Sequence, residues 1–309
     1  MKLARPIILL LLLSACTLDT STSPENIRQG TEGITISFLQ TLPKEIVVTG
    51  TTMERISFLV ELRNKGAYPE KASPEGSLWL SGFDPKIISM DAETTEPFTS
   101  SAGGRLEGRT GANAVGGLST HEFQATINSN ALPEGKYTPT ILANVCYRYK
   151  TIANPVVCIE KDPFLLSTQK KACSTADTSL SSQGAPVAVT KVETVSTTDN
   201  VQFKITVRNL GKGNVVNPAL SCSPPSIRNV QRHELDILSI ESVTLGGQEA
   251  ACSAPDKKVR LIDGLGFFTC TIEKAIFEQQ QAAFSTPLDI TLSYLYKDSI
   301  EQPLVITKI

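Results

Sequence analysis

The sequence predicts an all-β fold made of two tandem antiparallel β-sandwiches, and three observations carry that expectation. The first is an internal repeat. Residues 56–66 (ISFLVELRNKG) and 201–211 (VQFKITVRNLG) share Phe, Arg, Asn and Gly at matched places, with 208 − 63 = 145 between the arginines. Phe123-Gln124-Ala125-Thr126-Ile127 returns as Phe268-Thr269-Cys270-Thr271-Ile272, where 268 − 123 = 145. Tyr147-Arg148-Tyr149-Lys150 returns as Tyr294-Leu295-Tyr296-Lys297, where 294 − 147 = 147. Three blocks in one order at nearly one offset mark a duplication. The second observation is that the apolar residues of each block alternate with period 2, the pattern of a half-buried strand. The third is the punctuation: many short apolar stretches divided by Gly, Pro, Asn and Asp, as in a sandwich.

In chain order, Met1 to Pro6 is a short basic start, Ile7 to Leu13 is apolar, and Ser14-Ala15-Cys16 is small. That is the layout of a secretory signal, and the apolar run is far below the roughly 20 residues a membrane-spanning helix needs. Thr17 to Glu32 is polar, contains Pro and Gly, and has no apolar period, so it reads as a flexible tether with a reach of roughly 20–24 Å. Strands are expected at 34–39, 45–48, 77–80, 86–90, 187–195, 259–262 and 304–307, besides the repeated blocks. Arg-Asn-x-Gly ends the first repeated strand of each copy, where Asn and Gly permit a positive φ and a tight exit. One segment dissents: Glu273 to Phe284 favours helix by propensity and stops before Pro287. The small, turn-rich stretch Ser179 to Pro186 belongs to a linker. The expected division is signal 1–15, Cys16 and tether 16–32, first sandwich 33–166, linker 167–182 and second sandwich 183–309.

Two resemblances can be named on these residues. Leu13-Ser14-Ala15-Cys16 resembles the lipobox of prokaryotic lipoproteins. That resemblance implies cleavage before Cys16, a diacylglycerol on its sulfur, and an exported protein anchored on the outer side of the cytoplasmic membrane or on the outer membrane. Phe58 to Gly66 and Phe203 to Gly211 resemble the corresponding strand of CARDB-type immunoglobulin-like domains of bacterial and archaeal surface proteins. Such domains serve as spacers, adhesion units or appendages to other domains.

Composition bounds the function. The net charge of −2 over 309 residues gives no phosphate-binding surface, so nucleic acid is not an expected partner. Of seven Cys, setting Cys16 aside for lipid leaves six, an even number in an exported chain, which argues for disulfides. Cys146 and Cys158 flank the turn 150–155 and are expected to pair. Cys252 and Cys270 are expected to tie neighbouring strands, which leaves Cys173 with Cys222. No pair has C-x-x-C spacing and only two His exist, so no metal or other cofactor is expected.

Catalytic signals are sparse. There is no G-x-S-x-G elbow and no phosphate-cradling loop, and Gly211-Lys212-Gly213 reads as a turn. His121 and His233 read as surface residues. Asp84, Asp91, Glu93 and Glu96 have no spacing of a calcium loop or an acid/base pair and read as solvated. Trp79 lies between Leu78 and Leu80. It is an exposed ligand anchor if those leucines point inward, and a core tryptophan if it points inward itself. Tyr147 with Tyr149, and Tyr294 with Tyr296, read as cross-strand packing. The functional expectation is a non-enzymatic, lipid-anchored envelope protein with a structural, assembly or adhesion role among other envelope proteins. The alternative is a carbohydrate- or peptide-binding surface lipoprotein.

Overall fold

A computed structural model describes residues 27–39, 45–50, 53–91, 95–98, 105–161, 171–277 and 282–309. Cys16, the signal and most of the tether lie outside the described residues. The first half of the chain supplies β1 (Ile34–Phe38), β2 (Glu45–Val48), β3 (Met53–Asn64), β4 (Gly76–Ser81), β5 (Ile88–Met90), β6 (Thr95–Pro97), β7 (Leu118–Asn128), β8 (Lys136–Tyr137), β9 (Thr140–Ala153) and β10 (Val156–Glu160). The second supplies β11 (Thr178–Ser179), β12 (Val187–Ser196), β13 (Asn200–Asn209), β14 (Asn214–Val216), β15 (Ile237–Leu245), β16 (Gln248–Glu249), β17 (Ala251–Ser253), β18 (Lys258–Arg260), β19 (Leu265–Glu273), β20 (Ala283–Pro303) and β21 (Val305–Lys308). The fold is all-β, as the alternation predicts. In β3 the inward Phe58, Val60 and Leu62 are fully buried, as are Phe203, Ile205 and Val207 in β13. Each such side chain contributes about 1.5–3 kcal/mol by leaving water.

Each half has its own front sheet, β1-β3-β7-β5 in the first and β11-β12-β13-β19-β17 in the second. Behind them runs one shared sheet, β16-β15-β20-β9-β4-β6. Its seam is the antiparallel pair β9–β20, in register from Thr140↔Pro303 to Ala153↔Ile290. The last strand, β21, then returns to the first half, parallel to β2 and antiparallel to β8. The expected divisions at 166 and 183 therefore mark the repeat along the chain, while the folded body continues across them, with one hydrophobic core containing residues of both halves.

The repeated blocks occupy β3 and β13, β7 and β19, and β9 and β20. Their registers add a detail. Phe58 faces Phe123, whereas Phe203 faces Cys270. The structural offset of the second block is thus 270 − 123 = 147, two residues from the sequence match. A shift of two keeps every side chain on its face, which is why both alignments look equally apolar. At the seam Arg148 faces Leu295, and 148 + 147 = 295, so equivalent residues meet. Tyr147 faces Tyr296 and Tyr149 faces Tyr294. The two halves are therefore related by a pseudo-twofold axis through the seam, like a symmetric dimer fused into one chain.

The helix expected at 273–284 is not formed by its described residues, 278–281 lying outside them. β19 runs to Glu273, a single 3-10 turn covers Lys274–Phe277, and the chain is extended again from Ala283. Phe277 is buried and packs against Phe284 with ring centroids 5.5 Å apart. That tertiary contact overrides local propensity at the described ends of the segment.

Candidate functional site

The seam is where the repeat does its chemistry. In the first half, Tyr149 Oη donates to Asn64 Oδ1 at 3.0 Å and accepts from the Tyr68 N–H at 3.3 Å. The same Asn64 Oδ1 accepts from the Gly66 N–H, while Nδ2 donates to the Tyr68 carbonyl. The second half repeats every bond: Tyr296 Oη to Asn209 Oδ1, Gly213 N–H to Tyr296 Oη, Gly211 N–H to Asn209 Oδ1, and Asn209 Nδ2 to the Gly213 carbonyl. Arg-Asn-x-Gly is thus a socket for a tyrosine hydroxyl. The expectation that Asn and Gly stand there for a positive φ is corrected, since none of Asn64, Gly66, Asn209 and Gly211 has one. The glycines are required by clearance instead. A Cβ on Gly66 would run into Tyr149 Oη, and one on Gly211 into Tyr296 Oη.

The other two tyrosines hold the first strand of each half. Tyr147 Oη accepts from the Ile34 N–H at 3.1 Å, and Tyr294 Oη from the Val187 N–H at 3.4 Å. Tyr147, Tyr149 and Tyr294 are fully buried and Tyr296 nearly so, with rings packed edge-on or tilted along the seam. Burial pushes all four phenols well above their ordinary range. Below about pH 10 a phenol is neutral in both states, so this stability is fully present. Above it the unfolded chain releases protons that the folded chain retains, so stability falls as pH rises. Tyrosinate absorbance of these four residues is expected to appear only together with loss of the β-sheet circular dichroism. Early, independent ionisation of more than two of the six tyrosines in the folded protein would contradict the burial.

The back of the shared sheet is closed by the segment after β14. Residues 217–235 fold over it, and Cys222, Ile227 and Val216 form a second small core with Trp79, Cys146 and Leu295. Arg148 donates to the Pro218 and Leu220 carbonyls, Ser77 Oγ to the Cys222 carbonyl, and Lys297 Nζ to the Ile227 carbonyl. Here the either-or posed for Trp79 fails. Leu78 and Leu80 do point inward, yet Trp79 is only 3% exposed, because the other half of the chain covers its face. Lys297 Nζ sits 5.6 Å from the Trp79 ring centre. The tryptophan is a core residue and offers no surface for a ligand.

All six cysteines are in disulfides, but only one expected pairing holds. Cys252 bonds Cys270, directly opposite it between β17 and β19. Cys146 bonds Cys222, and Cys158 bonds Cys173. The expected Cys146–Cys158 and Cys173–Cys222 pairs are corrected. Cys146 faces the back of the shared sheet, where Cys222 arrives, and β10 pairs with β20 rather than folding back on β9. Cys158 instead ties down the linker, where Lys171 Nζ and the Thr175 N–H reach Glu160 at 2.6 and 3.0 Å. Those bonds hold the Glu160 carboxyl below the usual carboxylate range.

The remaining singled-out residues do not converge. His121 is buried, not superficial, with Nε2 3.1 Å from Ser119 Oγ; it shares the inward face of β7 with Phe123. His233 is exposed. Asp84 accepts from the Lys86 N–H and Asp91 from Thr126 Oγ1, both local turn and strand contacts. Glu93 and the Glu96 side chain lie outside the described residues. Among the described residues, no group of three or more His, Cys, Asp or Glu is placed to hold a metal ion, and no helix is long and apolar enough to cross a membrane.

What sequence reasoning missed is a strand edge. A groove of about 680 Å³ runs along β1, between it and residues 212–214 and 297–300 of the other half. Its walls carry Glu61 with Arg63 and Glu32 with Lys65, each an ion pair, plus Lys212 and Asp298. Burial raises the Asp298 carboxyl above its ordinary value, against hydrogen bonding from the Ser299 N–H and the pull of Lys212.

The fold and its site define a class: a disulfide-stapled all-β protein whose two sandwiches share one sheet. Comparison with known proteins does not narrow that class. No family model matches the chain, and no curated protein matches it. Among solved structures, the C-terminal domain of the AgI/II polypeptide BspA of Streptococcus agalactiae is similar at 8% identity, over 89% of this chain and 99% of that one, with a TM-score of 0.18. A likeness of that size carries no argument about fold or role.

Proposed function

We propose that the chain is a non-enzymatic, lipid-anchored module of the cell envelope, acting in structure, assembly or adhesion. The observation that carries this reading is that all six cysteines after Cys16 are consumed as staples, one of which clamps the two halves across their seam. Disulfides of this kind persist in oxidising, extracytoplasmic compartments. A double sandwich with a shared sheet and a shared core suits a part that bears load or presents a surface at the end of a short tether. The rival reading, a surface lipoprotein that binds carbohydrate or peptide through Trp79, loses that anchor to burial.

Cys16→Ser tests the anchor. Wild-type protein is expected in the membrane fraction and to incorporate labelled fatty acid, whereas the variant is expected soluble and unlabelled. Two acyl signals suffice for stable anchoring, so the difference should be all-or-none. Unchanged fractionation would remove the lipid from the reading. Substrate turnover by the purified protein, abolished by a single substitution of a polar residue, would remove the non-enzymatic part.

A further inference from the structure

The pseudo-twofold axis allows each half to be used as a standard for the other, and one pair of strands differs. β1 and β12 are equivalent. Ile34 faces Asn64 as Val187 faces Asn209, and both Ile34 and Val187 give their outward N–H to a seam tyrosine. Backbone groups alternate in direction along an antiparallel strand. The Gly33 carbonyl accepts from the Lys65 N–H just past β3 and the Leu39 N–H donates to the Leu59 carbonyl of β3, so on β1 the even-numbered residues, Ile36 among them, point their N–H and C=O away from the sheet.

In the second half that outward row is covered from Val187 to Val192. The Gln183 side chain, buried, clasps Val189 with both ends of its amide: Oε1 accepts from the Val189 N–H at 2.8 Å, and Nε2 donates to its carbonyl at 3.1 Å. β11 then pairs with β12 at Thr178↔Val192, and the Leu180 N–H donates to the Thr190 carbonyl. Leu180 is tucked against the core. The segment 178–183 is an extra strand laid along β12, sealed by one amide side chain.

In the first half the row is open. Ile36 is the counterpart of Val189, and among the described residues its N–H and C=O have no partner. Gln183 lies four residues before Val187; four residues before Ile34 stands Gly30, which has no side chain to reach with and whose N–H is taken by Ser182. Ile36 and Phe38 pack on the core yet stay partly exposed, where Leu180 covers the other half. The groove runs along this edge, where Glu61 pairs with Arg63 and Glu32 with Lys65 on the strand side, so the unmet demand of the strand itself is for main-chain hydrogen bonds and one apolar side chain.

We infer that β1 receives an extended peptide segment of a partner protein, added antiparallel at Ile36 and Phe38, with a large aliphatic residue seated as Leu180 is in the other half. The occupant is of the kind the chain itself supplies to β12: a short strand of polar and β-branched residues followed by an aliphatic, with no proline at the paired positions. Strand addition of this type draws affinity from backbone bonds and specificity from alternate side chains. The inference deepens the module reading by naming what the surface holds.

The test uses the folded protein without its signal and a synthetic peptide carrying residues 176–184 (ADTSLSSQG) as probe. Hydrogen exchange followed by NMR should show the free Ile36 amide exchanging orders of magnitude faster than that of Val189. Adding peptide should slow Ile36 and leave Val189 unchanged. Ile36→Pro removes an outward N–H together with part of the Ile36 packing, and the β1–β3 ladder is kept, as proline is tolerated on edge strands. It should weaken peptide binding at least about tenfold, the loss expected for one or two hydrogen bonds and a blocked edge. Ile36→Val, which keeps the N–H, should bind as wild type and controls for lost packing. An Ile36 amide already as protected as Val189 in the monomer would show the edge is occupied by the chain itself and overturn the inference. So would equal peptide affinity of wild type and Ile36→Pro, no binding at all, or pairing of β1 with a second copy seen as a dimer that Ile36→Pro dissolves. None of these outcomes touches the anchoring result with Cys16→Ser, so the two readings fail separately.

Discussion

Replacing Cys146 and Cys222 together by serine is expected to cost the protein about 4–5 kcal/mol, the largest loss from any one disulfide. The bond closes 76 residues, against 15 for Cys158–Cys173 and 18 for Cys252–Cys270. Chain-entropy reasoning gives about 3 kcal/mol for loops of the shorter kind. The effect should also be local in a way the other two are not. Residues 217–235 lose their covalent hold on the shared sheet, and Trp79, the single tryptophan, lies under them. Its fluorescence should shift to the red and become open to iodide in the double serine variant, while wild type is barely quenched. Equal denaturation midpoints for the three disulfide variants, or an unchanged tryptophan signal, would show that the clamp does not hold the back of the sheet.

Gly66→Ala is expected to destabilise by about 3 kcal/mol or more, an unusually large effect for the addition of one methyl group. The new Cβ meets Tyr149 Oη and also lies 2.6 Å from the Gly184 carbonyl and 2.8 Å from that of Glu32. Backbone atoms cannot step aside, so the clash becomes strain or an opened socket. Gly211→Ala meets mainly side chains, Tyr296 Oη and Pro186 Cβ. Pairing each change with loss of the hydroxyl should separate them. Tyr296→Phe is expected to rescue most of the Gly211→Ala defect, whereas Tyr149→Phe leaves most of the Gly66→Ala defect in place. Chemical denaturation of the four single and two double variants gives both coupling energies. Identical rescue in the two halves would contradict the contacts assigned to Gly184 and Glu32.

These glycines show what was legible in the sequence and what was not. Arg-Asn-x-Gly stands out as a repeated string, and its place at the end of a strand follows from alternation alone. Its purpose does not, because the hydroxyl it receives lies 85 residues further on in the first half and 87 in the second. The all-β class was legible because Phe58, Val60 and Leu62 and their counterparts alternate locally. The fusion of the halves was not, since nothing near Tyr147 or Tyr294 indicates that the two strands pair with each other. Cysteine pairing divides along the same line. Cys252 and Cys270 sit on adjacent strands of one sheet, so proximity in sequence served. Cys146 meets a cysteine from the other half, and simple elimination then misplaced both remaining bonds. The helix expected at 273–284 and the either-or for Trp79 failed for one reason: each used local pattern where a distant segment decides burial. His121 was misread because its strand neighbours, Ser119 and Glu122, are polar, although the period-2 pattern already placed it on the Phe123 face.

The unequal edges of β1 and β12 bear on valence. Two free copies of one sandwich, paired across the same seam, would offer two identical edges on opposite sides. Such a dimer could link partners into chains, each new arrival presenting the next open strand. With β12 covered by residues of its own linker, β1 is the one of these two equivalent edges left open among the described residues. Through this pair of edges it would accept one added strand without presenting the next, which limits the runaway polymerisation that exposed sheet edges invite.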